Sequence, residues 1–146
     1  MTPSESISEV KDGGHTPVLL QEVLENLTWT QSNCVFADLT VGGGGHLREL
    51  LSANPAPKKV FAFDQDRAVL ERTREQFADF RQMEWIHSNF RFFLEKISEP
   101  CDRILIDLGV SSFQLDAAER GFSFQKNGPL DMRMNPDEGQ PISEWL

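Results

Sequence analysis

Apolar positions along this chain keep changing rhythm between a helix and a strand. Leu20, Val23, Leu24 and Leu27 recur at i, i+3, i+4 and i+7 behind Thr16-Pro17, which suit an N-cap and a first helical position. The apolar run Cys34 to Ala37 then reads as part of a strand at about Val35 to Asp38. Beyond four consecutive glycines, Gly42 to Gly45, the spacing of Leu47, Leu50 and Leu51 predicts a helix from about His46, ending before Asn54-Pro55-Ala56-Pro57. A second strand is expected at Val60 to Asp64, a helix over about Arg67 to Phe77 and a weaker strand at Met83 to His87. A short helix around Phe90 to Ile97 and a fourth strand at Arg103 to Asp107 follow. Such alternation predicts an α/β fold, a doubly wound parallel sheet with right-handed crossovers.

Leu108 ends that rhythm. Gly109 to Gly139 is a long stretch with four glycines and little periodicity. A loop of that length in a compact domain is more often functional than idle. The final residues, Gln140 to Leu146, look like the first turn of a helix.

Composition and charge narrow the class. The 146 residues, 39% hydrophobic and 25% charged, suit one globular domain. Residues 1–14 are polar and acidic, without the basic and apolar regions of a targeting peptide, and are expected to be a disordered tail. No apolar run approaches the roughly 20 residues that cross a bilayer, so no membrane partner and a cytoplasmic location are expected. Cys34 and Cys101 are too few for a disulfide framework and lack a neighbouring Cys or His at ligand spacing. They read as free thiols, and no metal site is expected. With a net charge of −9, any nucleic-acid partner must meet a local basic patch. Arg67, Arg72, Arg74 and Arg81 read as solvated surface, whereas Arg120, Lys126 and Arg133 remain open as such a patch.

Chemistry concentrates at Asp38-Leu39-Thr40-Val41 and the glycines that follow. Strand, glycine turn and helix open a nucleotide-binding βαβ unit, because a chain without Cβ turns tightly and lets N–H groups approach a ligand. The dinucleotide fingerprint fails: its third glycine would fall at Leu47 or Arg48. Asp38 would also repel a pyrophosphate and suits a ligand bearing an ammonium, such as S-adenosylmethionine. Asp64, ending the second strand, is placed to accept hydrogen bonds from ribose hydroxyls; helix capping is its competing role, one that Asp66 could share. Asp107 ends the fourth strand at the switch point of the sheet and is a candidate for cofactor contact or for orienting a methyl acceptor. His46 could touch ligand or cap its helix, and Phe90 could cover an adenine or belong to the core with Phe92 and Phe93.

Several segments together carry a wider likeness: His15-Thr16-Pro17-Val18-Leu19, Asp38-x-Thr40-x-Gly42-x-Gly44-Gly45-His46, Phe63-Asp64-x-Asp66 and Asp107-Leu108-Gly109-Val110-Ser111-Ser112. Gln114-Leu115-Asp116, Glu119-Arg120-Gly121-Phe122-Ser123-Phe124 and Gly128-Pro129-Leu130-Asp131-Met132-Arg133-Met134 complete it. From about His15 to Leu146 the chain resembles the bacterial S-adenosylmethionine-dependent methyltransferases that modify N4 of a cytosine in small-subunit ribosomal RNA. The resemblance implies a class I methyltransferase Rossmann-like sheet, here incomplete, with about four strands in the order 3-2-1-4. It implies an S-adenosylmethionine-binding domain over residues 15–134 and the start of a truncated helical insertion over 135–146. Gly44, Gly45, His46, Asp64, Phe90, Asp107 and Gln114 look like the family's cofactor contacts, and Asp107 is the expected catalytic residue. One departure is Phe113, where the family often has proline. Small-subunit ribosomal RNA within the 30S subunit is the implied partner. Because a sheet ending at the fourth strand leaves an apolar edge unpaired, self-association or a noncatalytic assembly role is the competing expectation, with a dinucleotide-dependent oxidoreductase as a third.

Overall fold

The computed structural model of this chain describes residues 16–146; the tail expected over residues 1–14, and His15, lie outside the described residues. Helix α1 (Leu20–Asn26) precedes strand β1 (Val35–Asp38), followed by α2 (Gly45–Ala53), β2 (Lys59–Asp64), α3 (Arg67–Gln76) and β3 (Met83–His87). A 3-10 turn (Phe90–Phe92) runs into α4 (Phe93–Lys96), then β4 (Arg103–Leu105), α5 (Ser112–Asp116) and two further 3-10 turns, Ala118–Arg120 and Ile142–Glu144. All pairings in the four-stranded sheet are parallel, in the expected order β3-β2-β1-β4.

The two central strands are apolar over Val35 to Ala37 and Val60 to Phe63 because both of their faces are covered. Phe36, Val60 and Ala62 meet Leu47 and Leu50 of α2, Leu70 of α3, Phe77 and Trp29 on one face. Val35, Ala37, Phe61 and Phe63 point the other way and pack on Phe90, Phe93 and Ile97. Crossovers β1-α2-β2 and β2-α3-β3 step in one direction and share a face. The return from β3 to β4 reverses direction, and a right-handed connection then has to use the opposite face.

Two element ends differ from expectation. The helix expected to open at Thr16-Pro17 begins at Leu20 after Leu19, whose φ is 53° and whose side chain gives no cap. Thr16 to Val18 instead runs along the site, where the Val18 carbonyl meets His46 Nε2 at 2.8 Å. Strand β4 stops at Leu105, two residues before Asp107. Leu39 N–H takes the Leu105 carbonyl at 2.9 Å, and the next available donor, Asp107 N–H, goes to the Thr40 hydroxyl at 2.7 Å. A side chain replaces the ladder, so the strand ends.

Within the long late stretch the structure places α5, capped by Ser111: its hydroxyl accepts Gln114 N–H while Gln114 Oε1 accepts Ser111 N–H. This Ser-x-x-Gln capping box was readable in the sequence.

Candidate cofactor site

The carboxyl ends of β1, β2 and β4 surround a cavity of about 290 Å³ where strand order switches from β1 to β4. Open α/β sheets bind ligands at that crevice.

The glycine turn is held from several sides. Val41 N–H bonds the Phe63 carbonyl at 2.8 Å, Gly42 N–H bonds Asp64 Oδ2 at 3.0 Å, and the Thr73 hydroxyl donates to the Gly42 carbonyl at 2.6 Å. Gly44 has φ 79°, and a Cβ there would lie 2.6 Å from the Phe77 ring. It therefore shapes the turn from behind, while Gly42, Gly43 and Gly45 line the cavity.

Of the sequence-derived residues, Gly45, His46, Asp64, Phe90, Asp107 and Gln114 come together around this one cavity; Gly44 does not face it. Asp64 accepts N–H groups from Gly42 and Asp66, and burial, opposed by those bonds, raises its pKa. His46 lies with Nε2 on the Val18 carbonyl and Nδ1 3.5 Å from Asp107 Oδ2. The Asp107 side chain is 45% exposed, open at the cavity mouth.

Asp38 is absent from the cavity wall. It is buried beneath the turn, and burial, only partly offset by the Thr40 N–H at 3.1 Å, pushes its pKa up to about 7. Its reach to the site runs through Thr40, which bonds Asp38 by its N–H and Asp107 by its hydroxyl.

Asp66 is a site-supporting residue that sequence reasoning undervalued. It caps α3 by accepting Ala68 and Val69 N–H, and its other oxygen accepts Gln114 Nε2 at 2.9 Å and Arg120 Nη1 at 2.6 Å. Burial alone would raise its pKa, but the bonds from Gln114 and Arg120 outweigh it and hold the carboxyl below its usual value. Met134, which no periodicity marked, also lines the cavity.

The basic patch left open in the late stretch takes a different form. Arg120 is committed to Asp66, the Lys126 ammonium donates to the Asp116 carbonyl, and Arg133 pairs with Asp131. Arg72 lies 3.8 Å from the centre of the Phe113 ring, a cation–π contact at the position that departs from proline.

Among the described residues the cavity wall holds no lysine or arginine, while it includes two carboxylates, Asp64 and Asp107. Such a wall is unsuited to a pyrophosphate and suits a ligand with hydroxyl donors and positive charge.

A parallel 3-2-1-4 sheet with a glycine turn after β1 and an acid ending β2 defines a Rossmann-like fold of the class I methyltransferase type. The chain belongs to the MraW methylase family, whose model matches residues 12–146. It is 44% identical over 136 residues to Ribosomal RNA small subunit methyltransferase H of Acinetobacter baumannii, a match covering 90% of this chain and 44% of that protein. To the protein of the same name from Clostridium botulinum it is 41% identical over 128 residues, covering 85% and 41%. The chain thus spans less than half the length of these curated relatives. Among solved structures, a candidate rRNA methylase from Clostridium thermocellum shares the fold, with a TM-score of 0.52 and 18% identity over 63% of this chain and 50% of that one.

Proposed function

We propose that this chain forms the S-adenosylmethionine-binding region of a methyltransferase acting on N4 of a cytosine in small-subunit ribosomal RNA. The observation that carries the cofactor assignment is the charge of the cavity: two carboxylates, a glycine turn and, among the described residues, no lysine or arginine. The family membership and the names of the relatives support the RNA substrate. The pyrophosphate of a dinucleotide would there lie against Asp64 and Asp107, with no lysine or arginine among the described residues of the wall to offset the repulsion.

The residues present fit that cofactor. Asp64 would accept from the ribose hydroxyls, Phe90 would cover the adenine, and the backbone at Gly45 and His46 with the Gln114 side chain would hold the rest. Gly44 supports the same turn from behind. When bound, S-adenosylmethionine supplies a methyl group activated by a sulfonium. The acceptor is a poor nucleophile, since its lone pair is delocalised into the pyrimidine, so the site has to hold it close and accept its hydrogens as charge develops. Asp107, open at the mouth and fixed by its N–H bond to Thr40, takes that role.

Residues 15–134 are assigned to the cofactor-binding unit and 135–146 to the start of a helical insertion. The setting is the cytoplasm, with the 30S subunit as substrate particle. Self-association through the open edge of β4, where Ile104 and Ile106 are exposed, accompanies this reading.

Calorimetric titration of the chain with S-adenosylmethionine and with NAD tests the cofactor. Binding of the first alone is expected, and binding of NAD alone refutes the assignment. Methyl transfer to 30S subunits then tests the reaction. With Asp107→Asn, transfer is expected to fall at least about a hundredfold; unchanged transfer removes Asp107 from the chemistry.

A further inference from the structure

The late segment is folded over the cavity with little core of its own. Leu108, Phe124 and Leu130 face outward, so apolar burial does little to hold it in place. A polar hub does so instead. The Asp66 carboxylate is wholly buried, the Arg120 side chain is 16% exposed, and Arg120 Nη1 lies 2.6 Å from Asp66 Oδ2. A buried ion pair is weak evidence for stability, because desolvation offsets the attraction. Its geometry here points to placement.

The same Asp66 oxygen accepts Gln114 Nε2 at 2.9 Å, and Gln114 Oε1 accepts Ser111 N–H at 2.9 Å, which closes the cap of α5. On its far side Arg120 Nη2 donates to the carbonyls of Arg133 at 2.9 Å and Met134 at 3.1 Å, and the Arg120 carbonyl accepts Met132 N–H at 3.0 Å. Ser111, Gln114 and Met134 all line the cavity, whereas Arg120 and Asp66 do not. The Asp66–Arg120 pair therefore joins the start of α3 to two separate parts of the cavity wall, the carboxylate holding Gln114 and the guanidinium holding the Met134 side. The planar fork of donors on Arg120 makes that possible, and a lysine ammonium in its place would lack it.

We propose that Arg120 is a positioning residue for the cofactor cavity: through Asp66 it sets Gln114, and through the Arg133 and Met134 carbonyls it sets the Met134 side of the wall. The late segment then closes one side of the site only while this latch is intact. The proposal rests on the cofactor reading given above for the purpose of the cavity, and on the geometry alone for the latch itself.

Three variants of the full chain test it: Arg120→Ala, Arg120→Lys and Asp66→Asn. Asparagine keeps an oxygen for the α3 cap but turns a donor toward Gln114 and Arg120. S-adenosylhomocysteine binding is followed by calorimetry, and amide exchange is followed without ligand. All three variants are expected to weaken binding about tenfold, as when the competent fraction falls to about one-tenth. Exchange is expected to rise across Ser111 to Ala117 and Leu130 to Met134 while β1 and β2 keep their protection. Parent-like affinity in Arg120→Ala, full restoration by Arg120→Lys, or unchanged exchange in those two stretches overturns the latch. A variant that loses protection throughout the sheet assigns the pair to global stability and also overturns it. Should Arg120→Ala not fold, Asp66→Asn decides by the same two readouts. If the parent chain binds no S-adenosylhomocysteine, the cofactor reading falls, and exchange still decides the latch.

Discussion

At the scale of single residues, the carboxylates divide by environment more than by sequence. Asp38 is buried with a pKa near 7, far above the value of about 3.9 in an unfolded chain. Folding therefore favours its protonated form. Its contribution to stability is full below about pH 4 and is lost as pH rises toward 7, on the order of a few kcal/mol in all. The raised Asp64 slopes the same way. Asp38→Asn keeps an acceptor for Thr40 N–H and removes a titrating group. Between pH 5 and pH 8 its urea midpoint is expected to fall less than that of the parent; an equal fall would mean that Asp38 does not carry the slope. That Asp64 and Asp107 face the cavity was legible because each ends or follows a strand at the carboxyl edge of the sheet, beside the glycine turn. The pairing of Asp66 with Arg120 was not, since a charge buried by a contact 54 positions away looks like surface when only its neighbours are seen.

At the scale of elements, the strands and main helices could be read from apolar spacing because both faces of β1 and β2 are covered. What escaped was decided by single hydrogen bonds. The early end of β4 depends on the Thr40 hydroxyl, and the start of α1 depends on contacts between Thr16-to-Val18 and the site. Thr40→Val keeps the shape of the side chain but leaves Asp107 N–H without its partner. A loss of about 1 kcal/mol is expected, with faster amide exchange at Asp107 and little change at Leu105. Equal protection at Asp107 would show that the strand end does not need that hydroxyl.

At the scale of the molecule, both faces of β1 and β2 are covered, whereas β4 is partly bare and, among the described residues, unpaired along its outer edge. Ile104 and Ile106 are 42% and 48% exposed there, and an unpaired apolar edge is a template for another strand. Sedimentation at rising concentration is expected to show association, and Ile104→Lys with Ile106→Lys is expected to suppress it without loss of cofactor binding. A parent chain that stays monomeric, or association that the lysines leave intact, would place the contact elsewhere. The 3-2-1-4 order was legible through the family likeness, whereas which apolar side chains stay uncovered is a property of the folded surface.

The late segment has one more property, at its narrowest point. Gly121 N–H bonds the Ala118 carbonyl, and the Gly128 backbone passes so close to that carbonyl that no side chain fits between them. Both ends of the excursion from Phe122 to Asn127 thus meet at one residue, and Phe124 at its tip is wholly exposed. Beyond the neck Lys126 still reaches back to the Asp116 carbonyl and Phe122 lies by the Arg120 guanidinium, which leaves the tip around Phe124 as the part free of the fold. Doubling the length of such an excursion costs only about 0.6 kcal/mol in closure entropy, so this is where the chain can accept inserted residues, or carry a dye or an affinity handle, with the cavity wall left in register.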